Sequence, residues 1–434
     1  MSRLPTFRKG GIHPHDYKEL SCSAPVEELP CPDELIVPLS QHLGAPAKPL
    51  KAKGDPVVMG EKIGEASSFI SADIHAPASG TVKEIRSITL ANSVVCDAIV
   101  ITVDKEAEPV SFEKQDYDSL SREEMLAIVK DMGVVGTGGA TFPTNVKLMV
   151  PKGKHVQHLV INGVECEPYL TSDHRLMLER SREVIEGILI AQRITEADTV
   201  IIGVENNKPD AIDVLKQTVK EMHVDVTVMA LEVKYPQGDE KQLLKATINR
   251  EIPSGKLPLD VGAVVLNVGT AFAIYEAVAK RKPLIDRIVT VSGEAMNEKK
   301  NVRTPIGTTI GTLIDFAGGF SSIPEKLVSG GPMMGFAFYD HATPVIKGTS
   351  GLLALSSRKK APQTACIRCG KCIAVCPMGL QPTKLYRYID NRRYEEAMQT
   401  DLMDCKECGC CAYTCPAQLP LVHAMKLGKR LGRK

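Results

Sequence analysis

Eight cysteines in the last quarter of the chain constrain its fold more than any other feature. They form two runs of identical spacing, Cys366-x-x-Cys369-x-x-Cys372-x-x-x-Cys376-Pro377 and Cys405-x-x-Cys408-x-x-Cys411-x-x-x-Cys415-Pro416. Three cysteines at intervals of three on a tight loop can direct their sulfurs at one metal centre, but the loop cannot reach the fourth corner of that centre. The fourth ligand must therefore come from elsewhere in the chain.

This spacing resembles that of bacterial ferredoxins, in which the fourth cysteine of each run ligates the other cluster. It predicts two [4Fe–4S] clusters. One is held by Cys366, Cys369, Cys372 and Cys415, and the other by Cys405, Cys408, Cys411 and Cys376. The proline after each crossing cysteine ends the local helix and turns the chain away. Cys410 is expected to be a packed thiol and not a ligand.

Zinc and disulfides are the two other uses that cysteines at such spacing could have. Structural zinc is also bound by CxxC pairs, but it needs two pairs per site, whereas here there are two triplets, each with a trailing Cys-Pro. Disulfides belong to oxidising compartments, and residues 1–11 lack the apolar core of a signal peptide. Iron–sulfur clusters are therefore favoured over both.

Length and charge limit the remaining possibilities. A chain of 434 residues can hold about three domains, or four if some are small. The net charge is +1 with acids and bases interspersed, which gives no indication of a nucleic-acid partner. The longest uncharged stretch, residues 261–275, is shorter than the ~20 residues that span a bilayer. We expect a soluble or peripheral protein.

Residues 1–115 are predicted to form an all-β domain, because short apolar runs alternate with Pro and Gly at intervals typical of such modules. Residues 54–82 resemble the lipoyl and biotinyl carrier fold, which implies a barrel-sandwich architecture. Carriers attach their cofactor to a hairpin lysine, but the corresponding residues 67–73 contain none. We therefore expect a structural or docking domain without an attached cofactor. His13 and His15 are expected to lie in a turn and not to bind metal.

Residues 116–280 begin with a capped amphipathic helix at 118–130, followed by a glycine-rich loop at 133–143. The loop follows a helix and lacks Rossmann spacing, but its clustered glycines and the nearby Lys147 suit a phosphate group. Strands and helices then alternate to residue 281, with a single helix expected near 174–193, which predicts a parallel sheet covered by helices. Polar residues follow several strands, so we expect a binding crevice at the carboxyl ends of the strands.

The motifs in this region carry a resemblance. They are Gly136-x-Gly138-Gly139-Ala-x-Phe-Pro with Lys147, then Asn162-x-x-Glu-Cys-Glu-Pro168, Gly238-Asp239-Glu240 and Asn267-Val-x-Thr270. Together they resemble the flavin-bearing NADH-binding subunit of respiratory complex I. With Gly10-Gly-Ile-His-Pro14 and the cysteine runs, nearly the whole chain resembles the C subunits of Rnf electron-transport complexes.

The resemblance implies cofactor roles for individual residues. Non-covalent FMN would be surrounded by Gly136, Gly138, Gly139, Lys147, Asn162, Glu165, Cys166, Gly238, Asp239, Asn267 and Thr270. Glu167 and Glu240 would touch the nicotinamide nucleotide, NAD(H). Two positions depart from the complex I pattern, with Cys166 in place of Ser and Asp239 in place of Glu. No catalytic acid or base is predicted, because hydride and electron transfer are chemistry of the cofactors.

The remaining segments complete the prediction of a multidomain α/β and β protein. Residues 281–355 resemble the soluble ligand-binding β-grasp domain and are read as a spacer between the flavin and cluster domains. Residues 356–434 would form a helical ferredoxin domain that holds both clusters, after a polar linker at 356–362. The flavin/NADH-binding α/β domain would span 116–280.

The function implied is that of a peripheral, cytoplasmic-side subunit of a membrane-bound ferredoxin:NAD+ oxidoreductase. Its implied partners are integral membrane and flavin-bearing subunits, which couple electron flow to Na+ or H+ translocation, and a ferredoxin-type iron–sulfur subunit. Two alternatives stay open. One is a soluble NADH-dependent reductase such as a cobalamin reductase, and the other is a non-catalytic electron-transfer scaffold without flavin.

Overall fold

The structure, a computed structural model, describes residues 4–357 and 361–433. The predicted linker at 356–362 therefore lies partly outside the described residues. In the described part of the chain, no helix has both the length and the apolar character required to cross a bilayer.

The first domain is built from short strands around an apolar core. The strands of this part of the chain are β1 (Val26–Glu28), β2 (Glu34–Pro38), β3 (Lys48–Pro49), β4 (Pro56–Val57), β5 (Lys62–Glu65), β6 (Ile74–His75), β7 (Gly80–Thr89) and β8 (Val95–Val103). Sheets β2-β8-β7-β4 and β3-β5-β6 enclose a core that includes Leu35, Ile63, Ile74 and Ile99. Strand β1 is the exception, because it pairs in parallel with a strand near residue 301.

The second domain has a parallel sheet between helices, as its strand and helix alternation predicts. Its elements are α1 (Arg122–Asp131), α2 (Thr144–Leu148), β9 (His158–Asn162), α3 (Ser172–Glu179), α4 (Ser181–Thr195), β10 (Thr199–Glu205), α5 (Pro209–Met222), β11 (Thr227–Leu231), α6 (Glu240–Ile248), β12 (Ala263–Asn267) and α7 (Val268–Lys280). The strand order is β11-β10-β9-β12, and every pairing is parallel.

Local sequence explains where several of these elements begin. Helix α1 starts after Ser121, whose hydroxyl accepts a hydrogen bond from Glu124 N–H in a capping box. Asp239 and Asn267 are N-caps of α6 and α7, where their side chains accept from Lys241 N–H and Gly269 N–H, so two of the predicted site residues sit at helix N-termini. The single helix predicted near 174–193 is divided at Arg180 into α3 and α4, since Arg180 has a non-helical φ of −134°.

The third domain is a mixed sheet with one helix. Its elements are β13 (Asp286–Ser292), β14 (Lys300–Pro305), α8 (Ile310–Phe316), β15 (Lys326–Ser329), β16 (Phe336–Phe338) and β17 (Gly351–Leu355). Strand β1 occupies one edge of this sheet, in the order β1-β14-β13-β17-β15-β16. The chain before residue 30 thus contributes to a domain that begins some 250 residues later.

The C-terminal part is helical. It contains α9 (Lys371–Ala374), α10 (Pro382–Asp390), α11 (Tyr394–Met398), α12 (Cys410–Tyr413) and α13 (Leu421–Leu431). Single turns of 3-10 helix lie at Lys18–Leu20, Pro258–Val261 and Leu402–Asp404. Apolar side chains of α10 and α13, among them Leu385, Ile389 and Met425, form a core beside Cys376.

Candidate functional site

The carboxyl ends of β9 and β12 bring the predicted asparagines to one edge. Asn162 and Asn267 are direct partners in the β9–β12 register. Asn267 Oδ1 accepts hydrogen bonds from Gly269 N–H at 2.8 Å and from the Thr137 hydroxyl at 2.9 Å. The side chain that caps α7 therefore also holds the glycine loop.

The glycine loop lies directly on this edge. It is closed by a bridge between Val135 and Pro143, and Thr137 N–H donates to Thr270 Oγ1 at 3.0 Å. A Cβ added at Gly138 would lie 2.8 Å from Asn267 Cγ, so only glycine allows this approach. At Gly139 an added Cβ would meet nothing within 4 Å. One side of the loop is packed and the other faces open space, which is the form of a cradle.

Asn162, Gly238 and Cys166 form a second wall of the crevice. Asn162 Nδ2 donates to Gly238 O at 2.9 Å, and Gly238 N–H donates to Cys166 Sγ at 3.3 Å. Burial raises the pKa of the Cys166 thiol, so it stays protonated at neutral pH. A neutral thiol that accepts a backbone hydrogen bond can fill the structural role of the serine that the family pattern has here.

Lys147 and Glu240 are ion-paired at the open end of the crevice. Lys147 Nζ contacts Glu240 Oε1 and donates to Val265 O at 2.9 Å. Their side chains are 30% and 39% exposed, so a ligand can reach both. The neighbouring Asp239 is half-buried, and this burial raises the pKa of its carboxyl, whose Oδ2 lies 3.7 Å from Lys406 Nζ. Lys406 lies between two cysteines of the second run.

Glu165 lies beneath the crevice and caps α3. Its Oε1 accepts from Asp173 N–H at 2.7 Å, and its Oε2 lies 3.8 Å from the buried Lys18 Nζ. Asp173 in turn accepts from Asn267 Nδ2 at 2.6 Å. Burial, with the Glu165 charge adding to it, raises the pKa of Asp173 to about 6. The packed side of the crevice is thus a network of hydrogen-bonded charges.

Glu167, which was predicted to touch the nicotinamide nucleotide together with Glu240, contacts the third domain and the loop of Tyr235. Its Oε2 accepts from Met333 N–H at 3.0 Å and its Oε1 from the Tyr235 hydroxyl at 3.3 Å. Burial raises the pKa of Glu167 to about 7. A Cβ added at Gly331 would lie 2.1 Å from Glu167 Oε2, so the third domain is packed directly on this carboxylate.

Three contacts at the site were not expected from the sequence. Tyr235 carries a hydroxyl that also donates to Cys408 O at 2.8 Å, which joins the crevice to the cysteine runs. The buried Arg287 of β13 donates to Thr137 O at 3.3 Å and so supports the glycine loop from the third domain. Lys18 donates to Glu167 O at 3.1 Å. Of these three residues, only Tyr235 could have been singled out from the sequence, since it precedes the Gly238 motif by three residues.

The structure brings together all four cysteines of one predicted set and part of the other. All thirteen cysteines of the chain are free thiols, which is contrary to a disulfide framework. A largely apolar cavity is lined by the second set, Cys376, Cys405, Cys408 and Cys411, and also by Cys410, Leu380, Leu385 and Met425. Cys376 of the first run therefore lies with three cysteines of the second. A small, largely apolar cavity with several thiols along its lining suits an iron–sulfur cluster.

The other set lies nearer the surface. Cys372 and Cys415 share one buried apolar group with Leu419 and Leu421, whereas Cys366 and Cys369 are exposed. The pKa of Cys372 is raised by burial and, to a smaller extent, by the neighbouring Cys415 and Cys369 thiols. Cys410 is fully buried beside Tyr235, where its Sγ lies 4.0 Å from Tyr235 O.

His15 also lies next to carboxylates. Ligand atoms of His15, Asp16 and Glu19 lie within 4.8 Å of one another, a proximity that was not predicted. His15 and Glu19 are exposed. Exposed acidic groups near a histidine do not by themselves make a metal site.

Four family models match successive parts of the chain. Residues 6–106 match the RnfC barrel sandwich hybrid domain and residues 129–276 match the Nuo51 FMN-binding domain. Residues 288–337 match the SLBB domain, and residues 365–419 match the 4Fe-4S dicluster domain. The predicted barrel-sandwich, flavin-binding, β-grasp and two-cluster units are thereby confirmed at the level of domain type.

Curated relatives match over most of the chain. The C subunit of the proton-translocating ferredoxin:NAD(+) oxidoreductase complex of Clostridium ljungdahlii is 44% identical, over 91% of this chain and 87% of that protein. The Na(+)-translocating counterpart of Acetobacterium woodii is 42% identical, over 97% of this chain and 96% of that protein. A solved structure of NAD+-reducing [NiFe]-hydrogenase covers 71% of this chain and 60% of its own chain, at 17% identity and a TM-score of 0.49.

Proposed function

This chain belongs to the family of C subunits of ion-translocating ferredoxin:NAD(+) oxidoreductase complexes, and we propose that its crevice and its two cysteine sets form one electron-transfer path. It is an electron-transport subunit that combines an FMN-binding domain with a domain for two [4Fe–4S] clusters. The observation that carries the proposal is that the Tyr235 hydroxyl contacts both Glu167 of the crevice and Cys408 of the second set.

FMN is proposed to lie in the cradle of the glycine loop. The open space at Gly139 supports this position, as do the backbone N–H groups of a loop that Asn267 and Thr137 hold in place. Lys147 would supply positive charge for the flavin phosphate. Gly136, Gly138, Asn162, Glu165, Cys166, Gly238, Asp239 and Thr270 would shape the crevice and fix its walls.

NAD(H) is proposed to enter from the exposed side, where Glu240 lies. FMN, when bound, exchanges a hydride with nicotinamide and single electrons with iron–sulfur clusters. The chain's own part is to hold the dinucleotide over the cradle and to exclude water from it. Because Glu167 is enclosed by Met333 and Tyr235, we assign it to the wall between crevice and cysteine sets, with the contact to nicotinamide made by Glu240.

The two cysteine sets are proposed to act in series. The set with Cys376 lies against Tyr235 and Asp239 of the flavin domain, whereas Cys366 and Cys369 of the other set are exposed. The exposed set would therefore exchange electrons with a partner, for which a ferredoxin-type iron–sulfur subunit of the complex is proposed. Integral membrane and flavin-bearing subunits would complete the assembly, with this chain bound peripherally on the cytoplasmic side of the membrane.

The domain limits are proposed at 1–115, 116–280, 281–355 and 356–434. Four apolar clusters, each built mainly from one of these ranges, support them. Strand β1 and residues 4–20 are assigned to contacts with the later domains and not to the first core.

The test is to purify the full chain without oxygen and to measure FMN, iron and NADH-dependent dye reduction. We expect one FMN and about eight irons per chain for two [4Fe–4S] clusters. Copurification with membrane subunits is expected when the complex is expressed together. A preparation that binds clusters but cannot be loaded with FMN would contradict the proposed path.

A further inference from the structure

The motif Gly10-Gly-Ile-His-Pro14 has no part in the proposed cofactor sites, yet it lies between them. We call residues 7–18 the bridging segment. On one side it contacts the flavin domain, where Ile12 exchanges two 2.9 Å backbone hydrogen bonds with Tyr235. At its end the buried Lys18 donates to Glu167 O and Leu170 O and faces Glu165. The segment therefore holds in place the loop that carries Tyr235 and the loop that carries Glu165 and Glu167.

On its other side the bridging segment contacts the first cysteine run. Gly11 N–H donates to Val375 O at 2.9 Å. Gly10 has a φ of +64°, and a Cβ added there would lie 2.5 Å from the carbonyl carbon and oxygen of Cys376. Any side chain at this position must displace backbone atoms of the cysteine that crosses to the second set.

Both groups of contacts meet at Tyr235. Ile12, Tyr235, Cys408 and Cys410 form one buried apolar group, and the Tyr235 hydroxyl donates to Cys408 O. The segment thus fixes the chain on both sides of the second cysteine set, at Cys376 and at Cys408. A rigid backbone on all sides of a site is what holds reacting groups at a constant separation.

We propose that the bridging segment is a positioning element for electron transfer between the flavin crevice and the second cysteine set. This inference rests on the proposed function. In the overall reaction, two reduced clusters and NAD+ with one proton give two oxidised clusters and NADH, so each cluster loses one electron. Gly10 and Ile12 supply no ligand to a cluster in this scheme, and they act by fixing Cys376 and Tyr235.

The experiment compares Gly10→Ala with Gly54→Ala in the full chain carrying its cofactors. Gly54 also has a positive φ, +91°, but a Cβ there would meet nothing within 4 Å, so it controls for backbone strain. Clusters reduced with dithionite and freed of excess reagent are mixed with NAD+, and cluster reoxidation is followed by stopped-flow absorbance. Iron and FMN contents, the redox potentials of both clusters and their EPR spectra are measured on the same samples.

Gly10→Ala is expected to keep FMN content and the rate of flavin reduction by NADH. Cluster reoxidation should slow about 10- to 100-fold, as expected for a small misplacement of reacting groups. The EPR spectrum or potential of one cluster should change while that of the other stays constant. Gly54→Ala should match the wild type in all these respects.

If Gly10→Ala loses iron, a second variant, Ile12→Ala, tests the positioning role. Ile12→Ala leaves the backbone bridge intact and removes only the side chain beside Tyr235 and Cys408, and we expect a smaller change of the same kind. The inference is overturned if Gly10→Ala and Ile12→Ala reoxidise like Gly54→Ala, or if Ile12→Ala loses FMN and both clusters in parallel. A wild-type chain that lacks FMN or iron would instead refute the proposed function.

Discussion

At the scale of single residues, Lys147 and Glu240 form a charged pair that a ligand can reach at the edge of the sheet. If Lys147 contacts the flavin phosphate, Lys147→Met should weaken FMN binding about 10- to 100-fold, the usual cost of losing a charged hydrogen bond. NADH-dependent dye reduction should fall with it, while iron–sulfur absorption stays intact. Glu240→Ala should abolish the same activity through loss of nicotinamide binding, with FMN retained.

A matched control is Lys154→Met. Lys154 is also paired with a carboxylate, that of Asp260 at 3.2 Å, but it precedes β9 and lies at the amino ends of the strands. FMN titration by fluorescence should give the wild-type affinity for this variant. Loss of cluster absorption in Lys147→Met would contradict the separation of the two sites.

The assignment of crossing cysteines is tested by Cys415→Ser beside Cys410→Ser. Cys415 lies with Cys372, so its replacement should remove about four of the eight expected irons and leave the EPR signal of the second cluster. Cys410 is an equally buried thiol outside both sets, and Cys410→Ser should keep all the iron. Iron loss that is equal in the two variants would refute the assignment.

At the scale of elements, two adjacent residues of the glycine loop, Gly138 and Gly139, have different surroundings and therefore different expected roles. Gly138→Ala should lower the thermal midpoint of the protein without FMN, because its Cβ would lie 2.8 Å from Asn267. Gly139→Ala should leave that midpoint unchanged, since nothing lies within 4 Å, but weaken FMN binding if the flavin occupies that space. Calorimetry with and without FMN measures both effects. Equal FMN affinity in Gly139→Ala and wild type would place the flavin elsewhere.

Element boundaries followed the sequence where local chemistry sets them. Ser121 and Glu124 cap α1, and apolar strands such as β9 lie where periodicity predicts them. The division of the predicted helix at Arg180 had no such signal, since neither Pro nor Gly stands there. Strand β1 was also missed, because three residues are too few for a pattern and its partner β14 is remote in the sequence.

The candidate site likewise has a part that could be predicted from the sequence and a part that could not. The residues of the crevice were found from motifs, and their proximity follows from the parallel register that pairs Asn162 with Asn267. The surroundings of Glu167 could not be foreseen, since Met333 and Tyr235 come from separate loops. Contacts between domains depend on tertiary packing, which no local pattern encodes.

At the scale of the whole molecule, buried cations join the domains. Arg287 of the third domain supports the glycine loop, and Lys347 donates to Asp73 O and Gly133 O at 2.7 Å each. Lys347 therefore connects the third domain with the first and the second. Such an ammonium group is satisfied by carbonyl dipoles, but its burial still disfavours the charge.

This arrangement predicts how stability depends on pH. Burial lowers the pKa of Lys347 to about 7, from an ordinary value of 10.5. Between these values the unfolded chain binds a proton that the folded chain does not, so the Lys347 contribution makes the protein more stable as pH rises from 7 to 10.5. The contribution is on the order of 4 to 5 kcal/mol at most.

Lys347→Met should remove this rise. Thermal midpoints measured from about pH 6.5 to about pH 9.5 should show a smaller increase, or a larger alkaline decrease, in the variant than in the wild type. Lys326→Met, at an exposed position of β15, serves as the control and should keep the wild-type slope. If the two variants give the same pH profile, Lys347 is charged in the folded protein throughout this range, and the junction of the three domains would have to stabilise that charge through the carbonyls of Asp73 and Gly133.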